Sequence, residues 1–216
     1  MLGWINYIII TLTLAFIVWL QISFVAGKKK SSSKKIAEIL NEESEANFAR
    51  RRPLPEDFYF APDISDLDIK DYADTKSKVA ARQARVLKLA KAKMIRLPQS
   101  MTNKEIKMNY GAANLETVTN GEEIYQAFLE ALQNWANALS DIGDDDNAKK
   151  VFEKAIDLGC DVSRCFIALA GLYSKDKDKS SIDKLIKRLE RGEVIPQSDV
   201  IRNKTIAEIK KIYDNV

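Results

Sequence analysis

From Leu2 to Gly27 the chain carries no charged side chain, and residues 8–26 are apolar apart from Thr11, Thr13, Gln21 and Ser23. At about 1.5 Å rise per residue, such a run predicts a helix long enough for a hydrocarbon layer of roughly 30 Å. Trp4, Tyr7 and Trp19 stand near its ends, where amphipathic rings anchor at an interface. The pattern then becomes amphipathic. Residues 35–50 predict a helix with Ile36, Ile39 and Leu40 on one stripe, stopped by Pro53 and Pro55. Phe58-Tyr59-Phe60-Ala61-Pro62 predicts an extended strap, either laid over a folded domain or offered to a partner. Val79, Val86, Ala90, Met94 and Leu97, spaced 7, 4, 4 and 3, predict a helix over 75–97.

After Pro98, Thr102 and Glu105 have capping-box spacing and start a short helix that Gly111 can end. A loop through Thr117–Asn120 is expected to lead to the longest helix, capped by Asn120 and Glu123. There Ile124, Phe128, Leu132, Trp135 and Leu139 form an apolar stripe. Gly143 and the aspartates after it make a turn into a helix from Asn147 to Leu158, which Gly159 closes. A terminal helix over 198–215 has Ile201, Ile206, Ile209, Ile212 and Tyr213 for one broad face.

Charge gives these elements a direction and an organisation. No Lys or Arg precedes the apolar run, whereas Lys28, Lys29, Lys30, Lys34 and Lys35 follow it. The positive-inside rule then predicts a single-pass protein of the cell membrane, N-terminus outside and C-terminal domain cytoplasmic. The expected parts are a transmembrane anchor (1–27), a linker with an acidic stretch (28–74), a basic amphipathic helix (75–97) and a helical domain (98–216). Ser31–Ser33 act as a flexible joint. Glu56–Asp74 holds seven acidic residues and one lysine, and Thr75–Lys104 nine basic residues and no acidic one. Arg82, Arg85 and Lys88 are therefore candidate contacts to anionic lipid or another polyanion. The competing expectation is that the helix packs its stripe on the domain.

Composition removes whole classes of chemistry. There is no histidine, so imidazole acid–base work, Ser-His and Cys-His nucleophile pairs and imidazole metal sites are excluded. Lys+Arg 34 against Asp+Glu 31 gives +3, too balanced for a dedicated nucleic-acid binder. Cys160 and Cys165 lack partners for a metal site and are expected to be packing residues. The aspartates at 144–146 lack the alternating ligands of an EF-hand. The glycines build neither a phosphate loop nor a dinucleotide turn. The expectation is a protein without catalytic residues, metal, cofactor or small-molecule substrate.

An internal repeat carries the positive signal. Leu132, Trp135, Ala136 and Leu139 are echoed by Phe166, Leu169, Ala170 and Tyr173, each offset by 34 residues. Ala148, Phe152 and Ala155 complete the first copy. This pattern resembles the tetratricopeptide repeat over about Gly121–Val216. The second copy departs from it at Ile182 and Leu189, where small residues are asked for, and a third period fails at Asn203 and Lys204. The resemblance implies an all-α fold: the anchor and linker, then a helical-hairpin solenoid with repeats at about 129–162 and 163–196 and a capping helix at 198–215. It also implies a groove along the first helices of the hairpins, at Gln133, Asn137, Arg164, Ile167 and Gly171. Asn137 matches a position where some relatives hold a peptide carboxylate, but the lysines they also use are missing. The expected function is a membrane-tethered scaffold or accessory subunit that binds a protein or peptide partner. The alternative is a membrane protein acting on lipid or nucleic acid through residues 75–97, with the repeats structural.

Overall fold

The computed structural model of the chain describes residues 13, 16–19, 39–72, 77–97, 101–192 and 198–214. These are mostly helical. The helices are α1 (Lys78–Ala90), α2 (Asn103–Tyr110), α3 (Leu115–Asp141), α4 (Asp145–Asp157), α5 (Ser163–Lys175), α6 (Lys179–Glu190) and α7 (Asp199–Asp214). Residues 39–47 are helical as well. Two short strands, β1 (Tyr59–Phe60) and β2 (Met94–Ile95), pair antiparallel with Tyr59 opposite Ile95 and Phe60 opposite Met94.

The chain divides into two compact units, one made of residues 1–54 and 100–115, the other of 55–99 and 116–216. In the first unit Ala46 and Ile106 are buried, and Lys107 pairs with Glu43 at 3.2 Å. The Asn114 amide donates to the carbonyls of Arg52 (2.7 Å) and Tyr110 (2.6 Å). The capping box at α2 is present: Thr102 accepts from the Glu105 backbone, and the Glu105 carboxylate accepts from the Thr102 backbone at 2.6 Å.

The second unit carries the repeat. Leu132, Trp135, Ala136, Leu139, Ala148, Phe152, Ala155, Phe166, Leu169 and Ala170 are all buried in one apolar cluster. Tyr173 is half-buried and gives its hydroxyl proton to Glu153. Ile182, Leu185, Ile186 and Leu189 are buried on α6, so the larger side chains of the second copy are inside. Helix α5 packs on α4, α6 and α7, and α6 packs on α7. Ile206 and Ile209 are buried there, and Thr205 Oγ1 donates to Ser163 Oγ at 2.7 Å.

Several expectations need correction. No helix of the described residues is long and apolar enough to cross a membrane, against the expected N-terminal transmembrane helix. A span needs roughly 20 apolar residues. Of the run 2–27, the described residues are Thr13 and Phe16–Trp19, which are helical, and the rest lies outside them. The longest helix, α3, has 27 residues but carries Glu116, Glu122, Glu123, Glu130 and Asp141. The lysines at 28–35 and the joint at 31–33 also lie outside the described residues.

The helix expected over 75–97 occupies Lys78–Ala90, with the Ala80 amide donating to the capping Ser77 hydroxyl at 3.2 Å. Its expected last turns are β2, which pairs with the strap and buries both Met94 and Ile95. Phe58 is buried, and Phe60 sets its ring edge-on to Tyr125 at 5.3 Å. By contact, residues 55–99 group with 116–216 in the repeat-bearing unit.

The loop expected at Thr117–Asn120 is the first part of α3. The stripe that decides this is Val118, Gly121, Tyr125, Phe128, Leu132, Trp135 and Leu139, all buried and spaced alternately 3 and 4. Gly121 holds its place because Ile95 approaches so closely: a Cβ there would meet the Ile95 Cβ and Cγ1 at 2.7 Å.

Candidate binding groove

The side chains of α3 that face away from its buried stripe form a polar row at 119, 122, 123, 126, 130, 133 and 137. Thr119, Glu122, Glu123, Gln126, Ala127, Glu130 and Gln133 line one side of a concave space of about 630 Å³. Its other side is the turn between α4 and α5, through Cys160, Asp161 and Val162. A second compartment of about 390 Å³ is lined by Asn134 and Asn137 of α3 and by Arg164, Ile167 and Ala168 of α5. Glu130 and Gln133 line both, so the two compartments make one groove. Volumes of this size are in the range of ligand and peptide sites.

The turn that forms the wall is fixed from below. Gly159 adopts φ +105°, which ends α4 and turns the chain toward Cys160. The Tyr125 hydroxyl donates to the Leu158 carbonyl at 2.6 Å, tying α3 to the end of α4. Burial pushes the Tyr125 phenol up. A Cβ on Gly159 would meet the Tyr125 hydroxyl at 2.7 Å, so both the backbone angle and the space select glycine.

The groove's polar groups are unmatched. Among the described residues no cation lies within ion-pair distance of Glu122, Glu123, Glu130 or Asp161, and none of their carboxylates forms a hydrogen bond. Burial, with nothing to offset it, pushes the Glu122 carboxyl up. Below the wall, the buried Cys160 and Cys165 are both free thiols. Their mutual hydrogen bond pulls Cys160 down; the same bond, then burial, pushes Cys165 up. Among the described residues no group of acidic or cysteine side chains is placed to hold a metal ion.

Four of the five groove residues expected from the repeat register line the second compartment: Gln133, Asn137, Arg164 and Ile167. Gly171 does not; it sits further along α5, with nothing within 4 Å of where a Cβ would be. The acidic compartment was missed because it precedes the first repeat position. The polar row continuing back from Gln133 through Glu130, Gln126 and Glu123 is the signal that could have found it.

The candidate polyanion contacts lie on α1. Arg85 and Lys88 are exposed and Arg82 is half-exposed. On the opposite face Val79, Gln83 and Val86 are buried, and Gln83 bonds the Lys70 backbone twice, at 3.1 and 2.7 Å. Compared with protein-family models, curated proteins and solved structures, the chain matches none.

Proposed function

We propose that the chain is a protein-interaction scaffold that takes an extended peptide segment of a partner along the groove of α3 and α5. The supporting observation is the continuous groove itself, walled by helices whose groove-facing carboxylates have no partner among the described residues. The 34-residue echo supports the same reading, because in the tetratricopeptide repeats it resembles the first helices of the hairpins form the binding surface. A non-catalytic role is part of the proposal. The alternative through Arg82, Arg85 and Lys88 has less behind it, because the apolar stripe of α1 is already buried in the core and no large apolar residue of that helix is exposed.

Selection of peptides from a random display library on the full chain tests this. Binding of the selected peptides should fall at least about tenfold, ~1.4 kcal/mol, when Ala127→Arg or Ala168→Arg fills the groove. Peptides that bind the filled variants as tightly as the unaltered chain would show that the site is elsewhere.

A further inference from the structure

The groove is divided by charge. Among the described residues its larger compartment is lined by Glu122, Glu123, Glu130 and Asp161 and by no Lys or Arg. The smaller one carries Arg164 together with Glu130, which lines both. We infer that the larger compartment selects a cationic segment, an extended peptide whose lysine or arginine side chains pair with these four carboxylates. This rests on the groove being a peptide site, as proposed above.

Other carboxylates of the same unit draw partners from the chain: Lys154 pairs with Asp66 at 2.7 Å, Lys78 with Asp141 at 2.5 Å, Lys70 with Asp144 at 2.6 Å and Arg188 with Asp157 at 2.7 Å. Arg96 stands at the Gly159 turn, its Nη2 3.8 Å from where a Cβ there would sit, yet it makes no ion pair with any of the four carboxylates. Partial enclosure gives Glu122 a desolvation cost that raises its carboxyl. A cation from outside relieves it.

The apolar surface between the carboxylates suits the same occupant. Ala127, Leu129 and Val162 line the compartment, and Val162 is 39% exposed. Lysine and arginine stems lie along such surface while their charged ends reach the carboxylates. Glu123 and Glu130 are two helical turns apart, about 10.5 Å along the axis, within reach of basic side chains on an extended segment that rises about 3.3 Å per residue. In the far compartment Arg164 offsets Glu130, so the net negative charge lies at the other end and orients the peptide.

The experiment uses labelled peptides of about ten residues, roughly 33 Å when extended. One alternates lysine with alanine, one glutamine with alanine and one glutamate with alanine; each is titrated with the full chain and followed by anisotropy. The lysine peptide should bind at least about tenfold more tightly than the other two, a preference that weakens as salt is raised. The double variant Glu123→Gln/Glu130→Gln should erase that preference. Asp183→Asn, which removes a carboxylate paired with Lys187 on α6, should leave it intact.

Three results overturn the inference. The lysine peptide could fail to bind, or bind no more tightly than the glutamine peptide, or keep its preference in the double variant. If the glutamine peptide binds equally well and is lost on Ala168→Arg, the groove remains a peptide site and only its charge selection is wrong. If the lysine preference survives both Ala127→Arg and Ala168→Arg, the groove reading fails as well.

Discussion

The two sides of the helical hairpins use the same residue types and treat charge in opposite ways. On the side of α4 and α6, carboxylates are matched. Lys149 bridges Asp146 at 2.8 Å and Asp176, Lys175 meets Asp145 at 2.9 Å, and Arg188 meets Asp157 at 2.7 Å. On the groove side, Glu122, Glu123, Glu130 and Asp161 have no partners among the described residues. Matched surface charge ties one helix to the next and is neutral toward the outside. Unmatched charge on a concave wall does nothing for the fold, and it is what a partner can use. The difference separates the part of this surface whose charges are spent between helices from the part whose charges are not.

The largest expected effect comes from breaking what both sides share. Gly121→Ala should destabilise the protein by about 1–3 kcal/mol in urea unfolding, because the added methyl meets the Cβ of Ile95 and not a flexible tip. Helix propensity alone argues for a gain of up to about 1 kcal/mol, so a stabilised variant would show that Ile95 does not press on α3.

A smaller loss is expected on the matched side. Lys149 is held by hydrogen bonds to Asp146 and Asp176, which push it up to about 12 from 10.5. The folded value is the higher one, so this contribution is fully present below pH 10.5 and lost as pH rises through about 12. Lys149→Met should cost on the order of 1 kcal/mol at neutral pH, and the gap to the unaltered protein should close in strong alkali. A gap that does not change with pH would assign the loss to packing of the lysine stem.

The smallest effect should have the opposite sign. Burial raises the folded value of Glu122 above 4.5, so its charged form is disfavoured in the fold, and that penalty is relieved as pH falls. Glu122→Gln should leave stability within about 0.5 kcal/mol and move it upward. A clear loss in a thermal melt would mean that Glu122 has a partner and the two sides are alike.

How much was legible depended on how local the cause was. The Thr102–Glu105 box and the stripe through Leu132, Trp135 and Leu139 arise within a few residues, and periodicity finds them. Of the positions that the family resemblance implied, Gln133, Asn137, Arg164 and Ile167 line one concave space. The strand at Met94–Ile95 was not legible, because its partners are Tyr59 and Phe60, far back in the chain, and its spacing fits a helix equally well. Gly121 read as a helix boundary because the sequence does not show that Ile95 needs the space. The acidic wall needed two pieces, a row on α3 and the turn at 160–162, that only the fold brings face to face. The run at the N-terminus carried the strongest periodicity-free signal, yet the described helices do not bear out a membrane span.

The division of the repeat-bearing unit into 55–99 and 116–216 has a consequence for how the protein is made. A chain emerging from its N-terminus presents Val79, Val86 and Met94 before the stripe of α3 that covers them exists. At roughly 5–20 residues per second, several seconds pass between Ile95 and the end of α3 at Asp141. During that interval the first piece is an apolar surface without a lid.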